Sequence, residues 1–183
     1  MAPHGSHHAF EALPHLAKSL CEEFPGVQIH SAAVSDRIGR AEFQFVRNDP
    51  AYSGLRRRIY DRPDPDVTSI VVATTTLDAS IPPDQDITFI KIDIEGGEYH
   101  ALKGAESTIR RTRPVIVFEA GAASTGQYGV TAGDLYELIC TIFHYDLSTM
   151  KRWLNRLPSY TQLEFEHTWT NGLDYYFIAT PHV

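Results

Sequence analysis

Cysteine, excess positive charge and long apolar runs are what this sequence has least of. Only Cys21 and Cys140 occur in 183 residues, each inside an apolar helical pattern, so a disulfide framework is excluded and both are expected to be buried thiols of a reducing compartment. Sixteen Lys and Arg face 23 Asp and Glu, a net charge of -7 with pI near 5.7. That balance leaves no basic face for nucleic acid. No apolar run approaches ~18 residues and no signal-peptide core stands at the amino end, so no membrane partner is expected and the location is read as cytoplasmic. His4, His7 and His8 cluster near the start, but without further ligands residues 1–8 read as a frayed terminus rather than a metal site. There is no internal repeat. What remains, 43% apolar content, suits one core and one domain over residues 1–183.

The stretch that organises the rest is Ile87 to Glu98, I-T-F-I-K-I-D-I-E-G-G-E. Its isoleucines predict a central strand of a parallel sheet, buried on both faces. Alternation sends Phe89, Lys91, Asp93 and Glu95 to one face and Ile90, Ile92 and Ile94 to the other. Lys91 then needs a partner, and Asp93 is the nearest candidate. Two glycines break the run. From Glu98 to Arg111 the spacing turns helical, with Tyr99, Leu102, Ala105 and Ile109 on one face. A strand, a tight turn and a helix thus deliver Asp93, Glu95 and Glu98 to the carboxyl edge, where open parallel sheets bind ligands. The alternative for Glu98 is that it only complements the dipole of the helix it opens.

Around that unit, Ala9 to Ala12 reads as a strand end, followed by a helix carrying Leu13, Leu16, Ala17, Leu20 and Phe24. Pro14 suits its first turn. Pro25 and Gly26 stop it, and Val27 to Val34 reads as the next strand. Glu42 to Val46 alternates as a half-exposed strand that Thr68 to Leu77 could pair. Residues 47–66 form a long substrate-side loop with Arg47, Arg56, Arg57, Arg58 and Arg62, which either grip an anionic group or form a solvated charge run. Pro114 opens a second apolar strand ending at Glu119. Ala122 to Val130 reads as a mobile loop, Ala132 to Phe143 as a helix with Leu135, Leu138, Ile139 and Ile142 inward, and 145–157 is ambiguous. Thr161 to Trp169 and Asp174 to Thr180 read as a closing antiparallel hairpin.

The run F-I-K-I-D-I-E-G-G-E-Y-H-A-L-K-G-A-E, Phe89 to Glu106, resembles the signature of the FkbM-type family of S-adenosylmethionine-dependent methyltransferases. A-F-E-A-L-P, A-V-S-D followed by G-R-A-E-F, T-T-L-D, P-V-I-V-F-E and the terminal Y-Y-F-I-A-T-P support it in the family's order. The resemblance implies an α/β fold, a Rossmann-like class I methyltransferase sheet, mostly parallel with an antiparallel carboxyl-terminal hairpin. It implies O-methyl transfer from S-adenosylmethionine to a hydroxyl of a small molecule such as a sugar or polyketide. It places Glu11 on the cofactor's ribose, Ala33, Ser35 and Asp36 beside the adenine, and Asp93 near the methionine part and the incoming hydroxyl. Asp93 is then expected to position and Glu95 to act as base, with Glu98, Glu119, Arg56 and Arg57 toward the acceptor. Tyr99 and His100 lie at the helix start, where Tyr99 reads as core. The family's first strand and glycine-rich turn have no counterpart here. The expected sheet therefore lacks its first strand, and the chain is read as a fragment, a shortened gene product or a domain completed by another chain, with a homo-oligomer or a completing chain as the expected partner.

Two rival readings stay open. Asp93 and Glu119 could hold magnesium for a catechol-type transfer. The fold could instead be catalytically inactive, serving as a binding module.

Overall fold

The computed structural model describes residues 5–57 and 64–182; His4, Arg58 and Arg62 lie outside the described residues. A strand, helix, strand unit opens the chain: β1 (His7–Phe10), α1 (Pro14–Glu23) and β2 (Val27–His30). β1 and β2 pair in parallel from His7 opposite Val27 to Phe10 opposite His30. Pro14 occupies the first turn of α1, as expected, because its missing N–H is one that no helix start can satisfy. His7 and His8 belong to β1, so the frayed start does not extend to them. Cys21 is exposed on α1, contrary to the buried thiol expected, while Cys140 is half-buried and its thiol is pushed up to about 12 by burial.

The strand expected over 27–34 divides. Ala33 and Val34 form β3, which leaves β2 and pairs in parallel with β5 (Val67–Thr75). β4 (Gly39–Val46) pairs antiparallel with β5, from Gly39 opposite Thr74 to Val46 opposite Val67. This three-stranded sheet, ordered β3-β5-β4, packs Phe43 and Val72 with Leu13 and Ala33 as a small core. Between β4 and β5, a 3-10 turn at Pro50–Tyr52 and a bridge of Gly54 to Gln44 give the long loop some regular structure, and Arg47 pairs with Asp66 at 2.8 Å.

A short helix, α2 (Leu77–Ser80), follows β5. The signature then gives β6 (Phe89–Ile92), α3 (Glu98–Lys103) and α4 (Glu106–Thr112). The single helix expected from Glu98 to Arg111 is interrupted because Gly104 lies directly against the backbone carbonyl of Ser35, where a side chain has no room. Asp78 closes the break from both sides. Its N–H donates to the Gly104 carbonyl at 3.0 Å, and its carboxylate accepts from Ser107 N and Thr108 N at 2.9 and 2.8 Å. Asp78→Ala is therefore expected to lower stability by about 1 to 2 kcal/mol, read as a reduced urea midpoint, with Asp78→Asn losing less.

The remaining elements are β7 (Val115–Glu119), α5 (Ala122–Thr125), α6 (Ala132–Tyr136) continuing as a π-helix through Glu137–Ile142, β8 (Tyr145–Thr149), α7 (Met150–Leu154), α8 (Gln162–Thr170) and β9 (Tyr176–Pro181). The four-stranded sheet runs β6-β7-β9-β8. β6 and β7 are parallel, and β9 lies antiparallel between β7 and β8. The expected central strand is thus at an edge. Phe89 is 57% exposed and Lys91 is open on the same face, while Ile92 is buried. The alternation was legible, but burial on both faces was not, because no described strand pairs with the free edge of β6.

The expected hairpin is replaced by α8 and β9. Thr161 and Glu164 cap each other's backbone N–H groups, and Phe165 and Thr168 turn inward. A reciprocal cap at a helix start outweighs the β-prone composition of that segment. The loop at 122–130 contains α5 and a 3-10 turn. The wider π turns shift the helix face, so Phe143 is buried while Ile142 is 37% exposed, against expectation. Leu102, Ile109, Leu135, Phe165 and Phe177 meet in the main core under one face of this sheet. No helix of the described residues is long and apolar enough to cross a membrane.

Candidate active site

Strand direction decides where chemistry can gather. The carboxyl ends of β1, β3, β6 and β7 converge on a cavity of 770 Å³, within the size range of small-molecule sites. Glu11 follows β1, Ala33 comes from β3, Asp93 and Glu95 follow β6, and Glu119 ends β7; all line that cavity. The strand ends supply acid, and the loops supply aromatics: Tyr52, Tyr128, Tyr175 and Tyr176 complete the wall. Sequence patterning does not reveal these tyrosines. Tyr175-Tyr176 reads only as strand, although Asp174 Oδ1 accepts both their backbone N–H groups at 2.9 and 3.1 Å and so fixes the entry to β9.

The turn after β6 shapes the acidic rim. Glu95 adopts φ 62° and Gly96 φ 103°, the left-handed side that a β-carbon disfavours. Glu98 holds the turn. Its Oε1 accepts from Ile94 N at 3.1 Å and Gly96 N at 3.2 Å. At 1% exposure Glu98 cannot meet a substrate, so its expected place among the acceptor contacts is withdrawn. The physical reason is the Gly-Gly reversal, which folds the third acid beneath the turn instead of beside the other two. Burial pushes the Glu98 carboxyl up to about 7, although backbone N–H groups pull the other way. Its Oε2 has no hydrogen-bond partner among the described residues. Burial and then the Glu98 charge push the Tyr128 phenol up to about 12.

Asp93 receives Lys91 Nζ at 2.7 Å, as alternation suggested. The reason is local reach rather than burial, since the Lys91 side chain is 55% exposed. The charges of Asp93 and then Glu119 raise the Tyr176 phenol, which places these three groups within one another's field. Glu11 Oε1 accepts Leu13 N at 2.8 Å, so one carboxylate oxygen anchors the start of α1.

Other expected residues stand apart. Ser35 and Asp36 do not line the cavity. Burial works against the Asp36 charge, but hydrogen bonds from His100 and Arg37 hold its carboxyl below the usual range. His100 Nδ1 lies 3.1 Å from Asp36 Oδ2, and its ring lies 5.9 Å from that of Tyr128. Tyr99 packs against the main core, as expected. Arg56 and Arg57 are exposed and outside the cavity wall. Among the described residues no three metal-ligating side chains converge.

The geometry defines an α/β protein with mixed sheets and an acid-rimmed cavity at the carboxyl ends of its parallel strands. The sequence narrows that class. Residues 1–157 match the family model described as "Methyltransferase FkbM domain", and the chain belongs to that family. The fold is similar to the crystal structure of Methyltransferase FkbM from Methylobacillus flagellatus KT, with a TM-score of 0.51 and 18% identity. The match covers 95% of this chain and 36% of that one, so the chain spans about a third of that protein's length. No curated protein sequence matches.

Proposed function

We propose that the chain acts as an S-adenosylmethionine-dependent O-methyltransferase on a hydroxyl of a small molecule in the cytoplasm. The observation that carries this reading is that Glu11 and Asp93, expected at opposite ends of one cofactor, line the same 770 Å³ cavity. The donor set fits. Glu11 keeps one carboxylate oxygen for the vicinal hydroxyls of a ribose after anchoring Leu13. Ala33 supplies a small apolar wall on the adenine side. S-adenosylmethionine would supply an electrophilic methyl group. The chain's own residues would align the attacking hydroxyl and take its proton. Asp93, oriented by Lys91, positions that hydroxyl, and Glu95, held in place by the strained turn, accepts the proton. Glu119 and the tyrosine wall contact the acceptor.

The sheet order supports a Rossmann-like arrangement, in which the β2-β1 pair and the β6-β7-β9-β8 sheet flank the place of a further strand. A groove of 390 Å³ lined by Phe10, Ile90, Ile92 and Ile94 lies between β1 and β6. The same groove favours a second reading, a binding module without catalysis, that a second copy or another chain completes.

Calorimetric titration with S-adenosylmethionine separates the two. Methyl transfer predicts saturable binding that Glu11→Ala weakens by at least about tenfold, through the lost ribose hydrogen bonds. Absence of binding by the folded wild-type chain would overturn the enzyme reading.

A further inference from the structure

The turn that follows β8 leaves apolar surface uncovered. In α7, Met150, Trp153 and Leu154 have the i, i+3, i+4 spacing of a helix face that packs against something, and Leu157 follows in the next turn. All four are exposed, Leu154 by 67% and Leu157 by 52%. Trp153, Leu154 and Leu157 also border a hollow of 530 Å³ that the fold does not fill. The segment is braced, so this exposure is not fraying. The Thr149 hydroxyl accepts Arg152 N at 3.2 Å, and Asn155 Nδ2 donates to the Lys151 carbonyl at 2.8 Å. Arg152 donates to the Pro158 carbonyl at 2.9 Å, with its guanidinium 4.4 Å from the centre of the Tyr160 ring. Charge reverses over the same stretch. The chain carries a net charge of -7, yet no acid lies between Asp146 and Glu164, and Lys151, Arg152 and Arg156 fall among the four apolar side chains. Arg152 holds the turn and has Glu164 at 4.0 Å, while Asp146, on the wall of the hollow, faces His182 at 3.1 Å. Lys151 and Arg156 are exposed, and neither pairs with an acid among the described residues.

We infer that this surface docks the protein on the anionic headgroups of a phospholipid bilayer. Leu154, Leu157 and Trp153 would enter the boundary between headgroups and acyl chains, a layer that suits an indole with one apolar and one polar edge. Lys151 and Arg156 would stay at headgroup level, each adding to the attraction for anionic lipid. A polyanion such as nucleic acid would satisfy the cations but leave the leucines in water, so the apolar spacing favours a lipid surface. The expectation of no membrane partner came from the lack of a long apolar run, which tests spanning and not surface docking. The patch shares no lining residue with the acid-rimmed cavity, so docking leaves the wall of that cavity untouched.

Co-sedimentation of the full chain with vesicles tests the inference. Binding is expected to vesicles of equal parts phosphatidylcholine and phosphatidylglycerol, and not to vesicles of phosphatidylcholine alone; about 1 M salt should release it. Lys151→Glu with Arg156→Glu should weaken binding at least about thirtyfold, because each lost cation alone costs about fivefold. Leu154→Ser should weaken it about tenfold. These side chains are exposed, so the fold should tolerate the changes, which circular dichroism checks. The chain has two tryptophans, and Trp169 packs against the main core. A blue shift of emission on binding therefore reports Trp153, and Trp153→Phe should remove it. Four results overturn the inference. These are no binding to the anionic vesicles, equal binding to the neutral ones, Leu154→Ser binding as tightly as wild type, or a lipid-free dimer that Leu154→Ser dissociates. The third would mark a contact with any polyanion, and the fourth a surface for a second copy. Because the readout needs neither S-adenosylmethionine nor turnover, its failure is distinct from failure of the methyl-transfer reading.

Discussion

Gly96→Ala is expected to lower unfolding stability by about 3 kcal/mol, a large loss for the addition of one methyl group. Two costs combine. Gly96 has φ 103°, which an L side chain rarely adopts, and a β-carbon there would lie 2.5 Å from the Ser124 carbonyl oxygen. Gly129 separates the two costs. It also has positive φ, 70°, but nothing lies within 4 Å of its β-carbon position, so Gly129→Ala should cost only about 1 kcal/mol. Urea midpoints of the two variants check the pair, and equal losses would refute the argument. The proposed methyl transfer should fall in Gly96→Ala even under conditions where the protein remains folded, because the same turn brings Asp93 and Glu95 to the cavity wall.

The second large effect is a pH dependence. The Glu98 carboxyl is raised from 4.5 to about 7 in the folded chain, so between those values the folded state binds a proton that the unfolded state has released. Stability then falls as pH rises. The contribution of the neutral acid is fully present below pH 4.5 and is lost by the time pH passes about 7. The span corresponds to about 3 kcal/mol. Glu98→Gln should remove this slope. Its amide oxygen can still accept from Ile94 N and Gly96 N, so the variant should be more stable than wild type at pH 8 and closely similar at pH 5. Urea unfolding across that range measures both, and a wild-type stability unchanged between pH 5 and 8 would show that Glu98 is ionised throughout.

Much of the acid-rimmed site was legible because it follows from strand periodicity. Alternation along Ile90 to Glu95 placed Lys91 with Asp93, and apolar runs ending in Glu11 and Glu119 marked carboxyl edges. Glu98 misleads because its spacing from Glu95 resembles a continuing rim. Its burial depends on the left-handed turn at Gly96, although the paired glycines were the available sign that the chain reverses there. The hairpin expected near the carboxyl end failed for a different reason. Composition favoured a strand over Thr161 to Trp169, whereas Thr161 and Glu164 had the spacing of a capping box. The insertion of β9 between β7 and β8, and the arrival of Tyr52, Tyr128 and Tyr176 at one wall, join distant segments. No local pattern encodes them.

The edge of β6 that no described strand pairs also bears on how the protein behaves in concentrated solution. An isoleucine-rich strand with unpaired backbone groups is a template onto which another molecule's strand can add, and repetition of that step leads toward fibres. Lys91 stands in the middle of that strand, 55% exposed. The ammonium that orients Asp93 therefore also acts as a gatekeeper, because stacking a second copy in register would bring like charges together.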